Sequence, residues 1–216
     1  MAIVRPRPTL DHEAVWWQSG YPCVCGVDEV GRGALAGPLV AAAVVLPADP
    51  DRLRAELADL DDSKALAPWQ REAFAVRVLS IATAVAIGVV GVDEIDEIGL
   101  SFANRSAMER AVRALPVGVD VILLDAMTIE HAATQVGLID GDALCLSIAA
   151  ASIVAKVARD RMMRLAHAED QRYGFDRHKG YGTPGHLGAL ARFGPSQRHR
   201  RSFGPVASVI AAGRSS

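Results

Sequence analysis

The chain has 216 residues, half of them hydrophobic and only 5% aromatic, and its formal net charge at pH 7 is −2. This length accommodates one domain with a full core, and the small net charge argues against a strongly cationic nucleic-acid binder. No apolar stretch is long enough to span a membrane and no signal-peptide core opens the chain, so we expect a soluble, cytoplasmic protein. Cys23, Cys25 and Cys145 match neither a disulfide framework nor a zinc knuckle, and we interpret them as buried small hydrophobic residues.

The first two predicted elements are strands joined by a short loop. Residues 22–28 and the continuous apolar run at residues 39–46 predict buried strands. The connection between them is short, which favours an antiparallel pair.

Asp28 and Glu29 end the first of these strands and precede a Gly31-Arg32-Gly33 turn. Adjacent carboxylates repel each other, so a fold that holds both at one strand end usually needs a cation, and oxygen ligands favour Mg²⁺ or Mn²⁺. Glycines let backbone N–H groups approach a ribose or phosphate, and Arg32 offers a fork of donors to an anion. Two solvated turn acids are the simpler alternative. A dinucleotide-binding turn is disfavoured, because the glycine spacing differs from G-x-G-x-x-G and a strand follows instead of a helix.

The middle of the chain alternates predicted helices and strands. Pro68 suits the first turn of a helix, and Gly99 suits the end of one. The predicted helices cover residues 50–60, 68–80, 93–98 and 101–115, and the predicted strands cover residues 83–92 and 119–124.

Asp125 directly follows the last of these strands, at the C-terminal strand end where open α/β sheets gather their functional groups. Further on, Asp142 can cap a long helix that extends through about Ala168, with Asp160 in its second half. The small residues at 149–152 would let this helix pack closely on the sheet.

Basic residues concentrate in the C-terminal third. Between Lys156 and Arg201 there are eleven lysines and arginines against four acids, a net charge of +7. This stretch either lines a phosphate backbone or forms a solvated helix face.

Six sequence blocks occur in an order that is specific to one protein family. They are residues 26–33 (GVDEVGRG), 37–38 (GP), 62–64 (DSK), 107–111 (AMERA), 141–160 and 178–183 (HKGYGT). On these blocks the chain resembles the bacterial type 2 ribonuclease H family, ribonuclease HII. The resemblance implies an α/β, ribonuclease H-like fold with a mixed five-stranded sheet flanked by helices and a C-terminal helical extension. It also implies a single catalytic domain, with its core at about residues 20–168 and a basic extension at about residues 169–205.

The resemblance implies that four acids hold the metal ions, namely Asp28, Glu29, Asp125 and Asp160. Two divalent ions, Mg²⁺ or Mn²⁺, would activate a water and stabilise the leaving 3′-oxygen in phosphodiester hydrolysis. For Asp160 the alternative is an i,i+4 ion pair with Lys156 on one helix. For Asp125 the alternative is a helix cap or turn residue.

Substrate recognition is implied at a second set of residues. The backbone of Gly31, Arg32 and Gly33, together with the hydroxyl of Tyr181, would read a ribose 2′-hydroxyl, the group that separates RNA from DNA. The Tyr181 ring would pack on the following deoxyribose. Lys64 would hold a backbone phosphate; it is one of only three lysines, and all three fall within the matching blocks.

The implied activity is endonucleolytic hydrolysis of the RNA strand in RNA/DNA hybrids. It includes cleavage 5′ of a single ribonucleotide in duplex DNA, leaving 3′-hydroxyl and 5′-phosphate ends. The expected partners are these nucleic acids, and we expect a monomer without membrane contact. A type 3 ribonuclease H and a hybrid-binding protein without turnover are the alternatives.

Three positions depart from the family pattern. Ala126 stands where the family usually has glycine, so the turn after Asp125 must either avoid positive φ or carry strain. Asp140 replaces a common lysine, and Gly99 replaces a common asparagine.

Overall fold

The computed structural model describes residues 7–60 and 66–213. Its centre is a mixed sheet of five strands, β1 Val24–Val30, β2 Leu39–Val45, β3 Ala84–Val90, β4 Val121–Asp125 and β5 Thr134–Leu138. Their order in the sheet is β3-β2-β1-β4-β5. The strands β1, β2 and β3 pair antiparallel, whereas β4 pairs parallel with β1 and β5 pairs parallel with β4. The predicted mixed sheet of five strands is thereby confirmed.

Helices cover both faces of the sheet. They are α1 Asp11–Gln18, α2 Pro50–Glu56, α3 Pro68–Ile81, α4 Val92–Ile98, α5 Leu100–Arg113, α6 Gly141–Leu144, α7 Leu146–Glu169, α8 Phe175–His178, α9 Pro184–Phe193 and α10 Gly204–Gly213. None of them, within the described ranges, is long and apolar enough to cross a membrane.

The interior strand β2 is apolar at every position, without the alternation of a half-buried strand. All seven of its residues are buried. Ala42 and Val44 belong to the core cluster under α7, whereas Ala41 and Ala43 belong to the cluster under α5. A strand that is covered on both faces needs apolar residues at every position.

Several predicted helix boundaries are confirmed. Pro68 lies in the first turn of α3, α4 ends at Gly99 with φ +80°, and α5 covers most of the predicted amphipathic stretch. The helix predicted at residues 50–60 is shorter, since α2 ends at Glu56.

The long helix predicted from Asp142 is divided. Asp142 lies in the short helix α6, and Cys145 then adopts an extended conformation with φ −118° and ψ +125° before α7 begins. The reason is non-local, because Cys145 forms an isolated β-bridge with Thr9 and the Leu146 N–H donates to the Thr9 carbonyl.

Glu13 of α1 lies against the N-terminus of α7. Its side chain is fully buried, and Oε1 accepts from the Ser147 N–H at 2.7 Å and from the Cys145 thiol at 3.1 Å. A carboxylate in this position satisfies amides that a helix N-terminus leaves without intrahelical partners.

The cysteine interpretation is confirmed in two of three cases. Cys25 and Cys145 are buried, whereas Cys23 is partly exposed, and all three are free thiols. Burial raises the pKa of the Cys25 thiol to about 12.

Candidate nuclease site

A cleft of about 430 Å³ opens where β1 and β4 end. The sheet register explains its position. Val27 of β1 pairs with Leu124 of β4 in parallel, so Asp28 and Asp125 follow at neighbouring positions of adjacent strands. The residues that line the cleft are Asp28, Glu29, Val30, Gly31, Arg32, Gly33, Asp125, Ser152, Lys156 and Tyr181.

Asp28 is buried, with 6% of its surface exposed. Desolvation is the main cause that raises its pKa well above the ordinary value, and the charges of Glu29 and Asp125 raise it further. A hydrogen bond with Ser152 of α7 acts in the opposite direction. The site therefore holds a carboxylate whose charge is opposed by its own surroundings.

Glu29 has a raised pKa for a similar reason. Desolvation is again the largest cause, and Asp125 adds to it. Arg32 lowers the pKa of Glu29, and its guanidinium lies 3.6 Å from the carboxylate. The buried side chain of Asn104 also donates a hydrogen bond to Glu29.

Asn104 and Ser152 were not predicted as site residues. Asn104 lies on α5 and Ser152 on α7, the helices that cover opposite faces of the sheet. Asn104 forms a hydrogen bond with Glu29, and Ser152 forms one with Asp28. Ser152 carried a usable signal, because it ends the small-residue face and lies four residues before Lys156. Nothing in the local sequence around Asn104 distinguishes it from an ordinary helix residue.

Asp125 is held by the chain that follows it. Its Oδ1 accepts from the Gly141 N–H at 2.9 Å, which connects the end of β4 to the start of α6. Ala126 has φ +54°, so the turn carries the strain that glycine would avoid. The Ala126 N–H donates to the Leu138 carbonyl at 2.9 Å, and this bond joins the strained turn to the end of β5.

Asp160 does not line the cleft itself but is paired with a residue that does. It is buried on α7, and its Oδ1 accepts from Lys156 Nζ at 2.7 Å. This is the i,i+4 pair that the sequence offered as the alternative to metal binding. Lys156, rather than Asp160, reaches the cleft.

Asp142 is a further acid close to the site. It is 6% exposed and follows Gly141, whose N–H binds Asp125. The backbone that leads into Asp142 therefore lies next to the Asp125 carboxylate.

The glycine turn and Tyr181 lie side by side in the lining of the cleft. Gly31 has φ +97°, and a Cβ there would lie 2.3 Å from Arg159 Nε, so this position requires glycine. Tyr181 bridges to Ala34 just after the turn. The Arg159 guanidinium lies 5.4 Å from the centre of the Tyr181 ring. The structure thus brings together the two parts that were predicted to read a ribose.

Two buried histidines, His186 and His199, connect the Tyr181 backbone to Ser196 through hydrogen bonds. The Ser196 N–H donates to His199 Nδ1 at 3.0 Å, so the ring proton of neutral His199 is on Nε2. His199 Nε2 then donates to His186 Nε2 at 3.1 Å. His186 Nδ1 then donates to the Tyr181 carbonyl at 3.0 Å. These hydrogen bonds require both rings to be neutral. Burial lowers the pKa of His186 and lowers that of His199 to about 4.

The carboxylates fit a divalent cation in their chemistry. Asp28, Glu29 and Asp125 supply oxygen ligands only, and desolvation and mutual repulsion raise the pKa values of Asp28 and Glu29. A bound cation would remove this repulsion. Within residues 7–60 and 66–213, no three acid, histidine or cysteine side chains form a ready-made metal site. Lys64, the predicted phosphate ligand, lies outside the described residues.

Comparison with known proteins gives one consistent match. The family model for ribonuclease HII matches residues 25–206. A ribonuclease HII from Geobacillus thermodenitrificans is 48% identical over 201 residues, which cover 93% of this chain and 76% of that protein.

Two solved structures are also similar. The ribonuclease H2 of Pyrococcus horikoshii OT3 has a TM-score of 0.77 and 26% sequence identity, over 89% of this chain and 99% of that chain. Bst-RNase HIII in complex with Mn²⁺ has a TM-score of 0.66 and 18% identity, over 90% of this chain and 71% of that chain, which shows a shared fold.

Proposed function

The chain belongs to the ribonuclease HII family and is a ribonuclease H, and we propose that it cuts 5′ of single ribonucleotides in duplex DNA as well as within RNA/DNA hybrids. The products would carry 3′-hydroxyl and 5′-phosphate ends. The observation that carries this proposal is the single cleft in which a glycine turn and Tyr181 meet Asp28, Glu29 and Asp125. We also propose that the protein works in the cytoplasm as one domain and as a monomer.

The acids of the cleft are the proposed metal ligands. When bound there, divalent ions would supply an activated water and stabilise the leaving oxygen. Ser152 and Asn104 hold Asp28 and Glu29 in place for these ions through the hydrogen bonds described above. The raised pKa values of both acids support the proposal, because the contacts of Asp28 and Glu29 within the protein offset the cost of their buried charges only in part.

The fourth carboxylate has two candidates. The family resemblance assigns it to Asp160, whose carboxylate is already paired with Lys156. Asp142 is buried and follows the residue that binds Asp125. We therefore propose Asp142 as the fourth acid and keep Asp160 as the alternative.

Ribose recognition is proposed for the glycine turn and Tyr181. The 2′-hydroxyl would accept from or donate to the backbone of Gly31, Arg32 and Gly33 and to the Tyr181 hydroxyl. The Tyr181 ring would pack against the next sugar, where a 2′-hydroxyl would not fit. Lys64 remains the proposed phosphate ligand.

One incubation tests the activity. The purified protein is mixed with a duplex that contains one ribonucleotide, with Mg²⁺ or with Mn²⁺, the ion of the Bst-RNase HIII structure. We expect one cut on the 5′ side of the ribonucleotide and no cut in the all-DNA duplex. An intact strand at enzyme excess with either ion would refute the proposal.

A hybrid-binding protein without turnover predicts a different result. Such a protein would keep its properties when Asp125 is changed to Asn, whereas the enzyme would lose cleavage and keep binding.

A further inference from the structure

Two arginines are fully buried beside the glycine turn. Arg159 comes from α7 and Arg200 from the segment before α10, and both side chains are 0% exposed. A buried guanidinium is costly unless its donors are satisfied. Desolvation accordingly lowers the pKa of Arg200 to about 10, and it still carries its charge near neutral pH.

Both guanidiniums donate to backbone carbonyls of the segment that contains the turn. Arg159 binds the carbonyls of Pro38 and Ala36 at 2.8 and 3.1 Å, and that of Lys179 at 2.9 Å. Arg200 binds the turn itself. Its Nη1 donates to the Arg32 carbonyl at 2.9 Å, and its Nε and Nη2 donate to the Gly37 carbonyl at 3.1 and 3.0 Å.

The bond to Arg32 determines where the next amide points. The Arg32 carbonyl and the Gly33 N–H belong to one planar trans peptide, so they point in opposite directions. Arg200 lies on the buried side of the turn, and both Arg32 and Gly33 line the cleft. The Gly33 N–H is therefore directed towards the cleft.

From this geometry we infer that Arg200 is a positioning residue for ribose recognition. It orients the Arg32–Gly33 peptide so that the Gly33 amide faces the 2′-hydroxyl. This inference rests on the proposed function. Lysine cannot replace the guanidinium, because a single ammonium on a flexible stem cannot hold two carbonyls in fixed directions.

The first test needs no substrate and follows the Gly33 amide by ¹H–¹⁵N NMR and hydrogen exchange. Arg200→Met removes all three donors, and Arg200→Lys keeps the charge in case the first variant does not fold. We expect the Gly33 signal to shift and its exchange to accelerate in both. Arg201→Met changes the adjacent exposed arginine and should leave the Gly33 signal unchanged.

The second test measures specificity in an Asp125→Asn background, which prevents cleavage. The affinity for a duplex with one ribonucleotide is divided by the affinity for the same duplex in DNA. We expect the Arg200 variants to reduce this ratio about fivefold, the value of one hydrogen bond, with DNA affinity almost unchanged. Arg201→Met can weaken both affinities but should keep the ratio.

The outcomes distinguish a failure of the Arg200 inference from a failure of the proposed ribose recognition. A folded Arg200 variant with an unchanged Gly33 amide and an unchanged ratio would overturn the inference. A ratio of one in the parent protein would instead refute ribose reading by the turn, whatever the Gly33 amide shows. An equal loss of both affinities would reduce Arg200 to a structural residue.

Discussion

Lys156 Nζ lies 2.7 Å from Asp160 Oδ1, so the acid on α7 already has a cationic partner four residues away. This pair gives the Asp160 carboxylate a partner within its own helix. It also leads to a direct comparison of three substitutions.

Asp125→Asn should reduce cleavage by roughly 10³-fold or more, because a metal ion supplies several kcal/mol of transition-state stabilisation. We expect Asp142→Asn to approach this loss. Asp160→Asn should stay within about threefold of the parent, since it removes only an i,i+4 pair. Single-turnover rates on a duplex with one ribonucleotide measure all three, and the reverse order of Asp142 and Asp160 would restore Asp160 as the fourth acid.

Asp28→Asn should stabilise the protein in the absence of metal. The folded state raises the pKa of Asp28, so the folded protein binds this proton more tightly than the unfolded chain, and stability falls as the pH rises through the raised value. Removing the charge should raise the melting temperature by about 3 °C, or ~1 kcal/mol. The same variant should lose most of the stabilisation that Mg²⁺ gives the parent protein. Thermal melts with EDTA and with Mg²⁺ measure both effects, and a variant that melts lower in EDTA would contradict the electrostatic argument.

Tyr181→Ala should weaken cleavage at single ribonucleotides more than cleavage of long hybrids. Apolar contact between the ring and the sugar contributes about 1.5 kcal/mol, so a loss of roughly tenfold is expected at the junction substrate. Tyr181→Phe keeps the ring and separates packing from the hydroxyl contact. Equal losses on the two substrates would exclude a junction-sensing role.

Gly31→Ala and Gly33→Ala form a matched pair two residues apart. Gly31 has φ +97° and its added methyl group would meet Arg159, whereas a methyl group on Gly33 meets nothing within 4 Å. We expect Gly31→Ala to destabilise the fold by about 1–3 kcal/mol and Gly33→Ala to leave stability nearly unchanged. Urea unfolding measures both, and similar midpoints would mean that the turn can shift away from Arg159.

Low pH should destabilise the folded protein at the histidine pair that contacts the Tyr181 carbonyl. The folded state lowers the pKa of His199 to about 4, so the folded protein binds fewer protons than the unfolded chain. The stability contributed by neutral His199 is complete above its unfolded pKa of about 6.5 and is lost as the pH falls towards 4. Unfolding at pH 7.5, 6.0 and 5.0 should show this slope, and His199→Phe should reduce it. His12→Gln, outside the cluster, should retain the slope of the parent.

Sequence patterns predict the parts of this fold whose cause is local. β1, β2 and β4 are largely apolar because helices cover them, and Asp125 lies at the C-terminal end of β4. β5 was not predicted, since only its pairing with β4 makes Thr134–Leu138 a strand. The break at Cys145 depends on Thr9, which is distant in the sequence.

The candidate site also contains some residues that local sequence patterns predict and others whose contacts arise only in the folded chain. Asp28, Glu29, the glycine turn and Tyr181 are recognisable as motifs, and the structure brings them to one cleft. Asn104 and Arg200 act from separate elements, and only the folded chain reveals what each contacts. The ion pair of Asp160 is visible in the sequence as a spacing, but the choice between pairing and metal binding depends on the direction of its side chain.

The buried contact between Glu13 and the start of α7 determines how far the N-terminus can be shortened without cost to stability. The family match begins at residue 25, and an expression fragment cut to that boundary would lack α1. The Ser147 amide would then lose its carboxylate acceptor, at a cost of about 1 kcal/mol by analogy with helix capping. The weakened end would be that of α7, the helix that also carries Ser152, Lys156 and Arg159 to the cleft. A nuclease fragment cut to the boundary of the family model would thus lack a helix that contacts the start of α7.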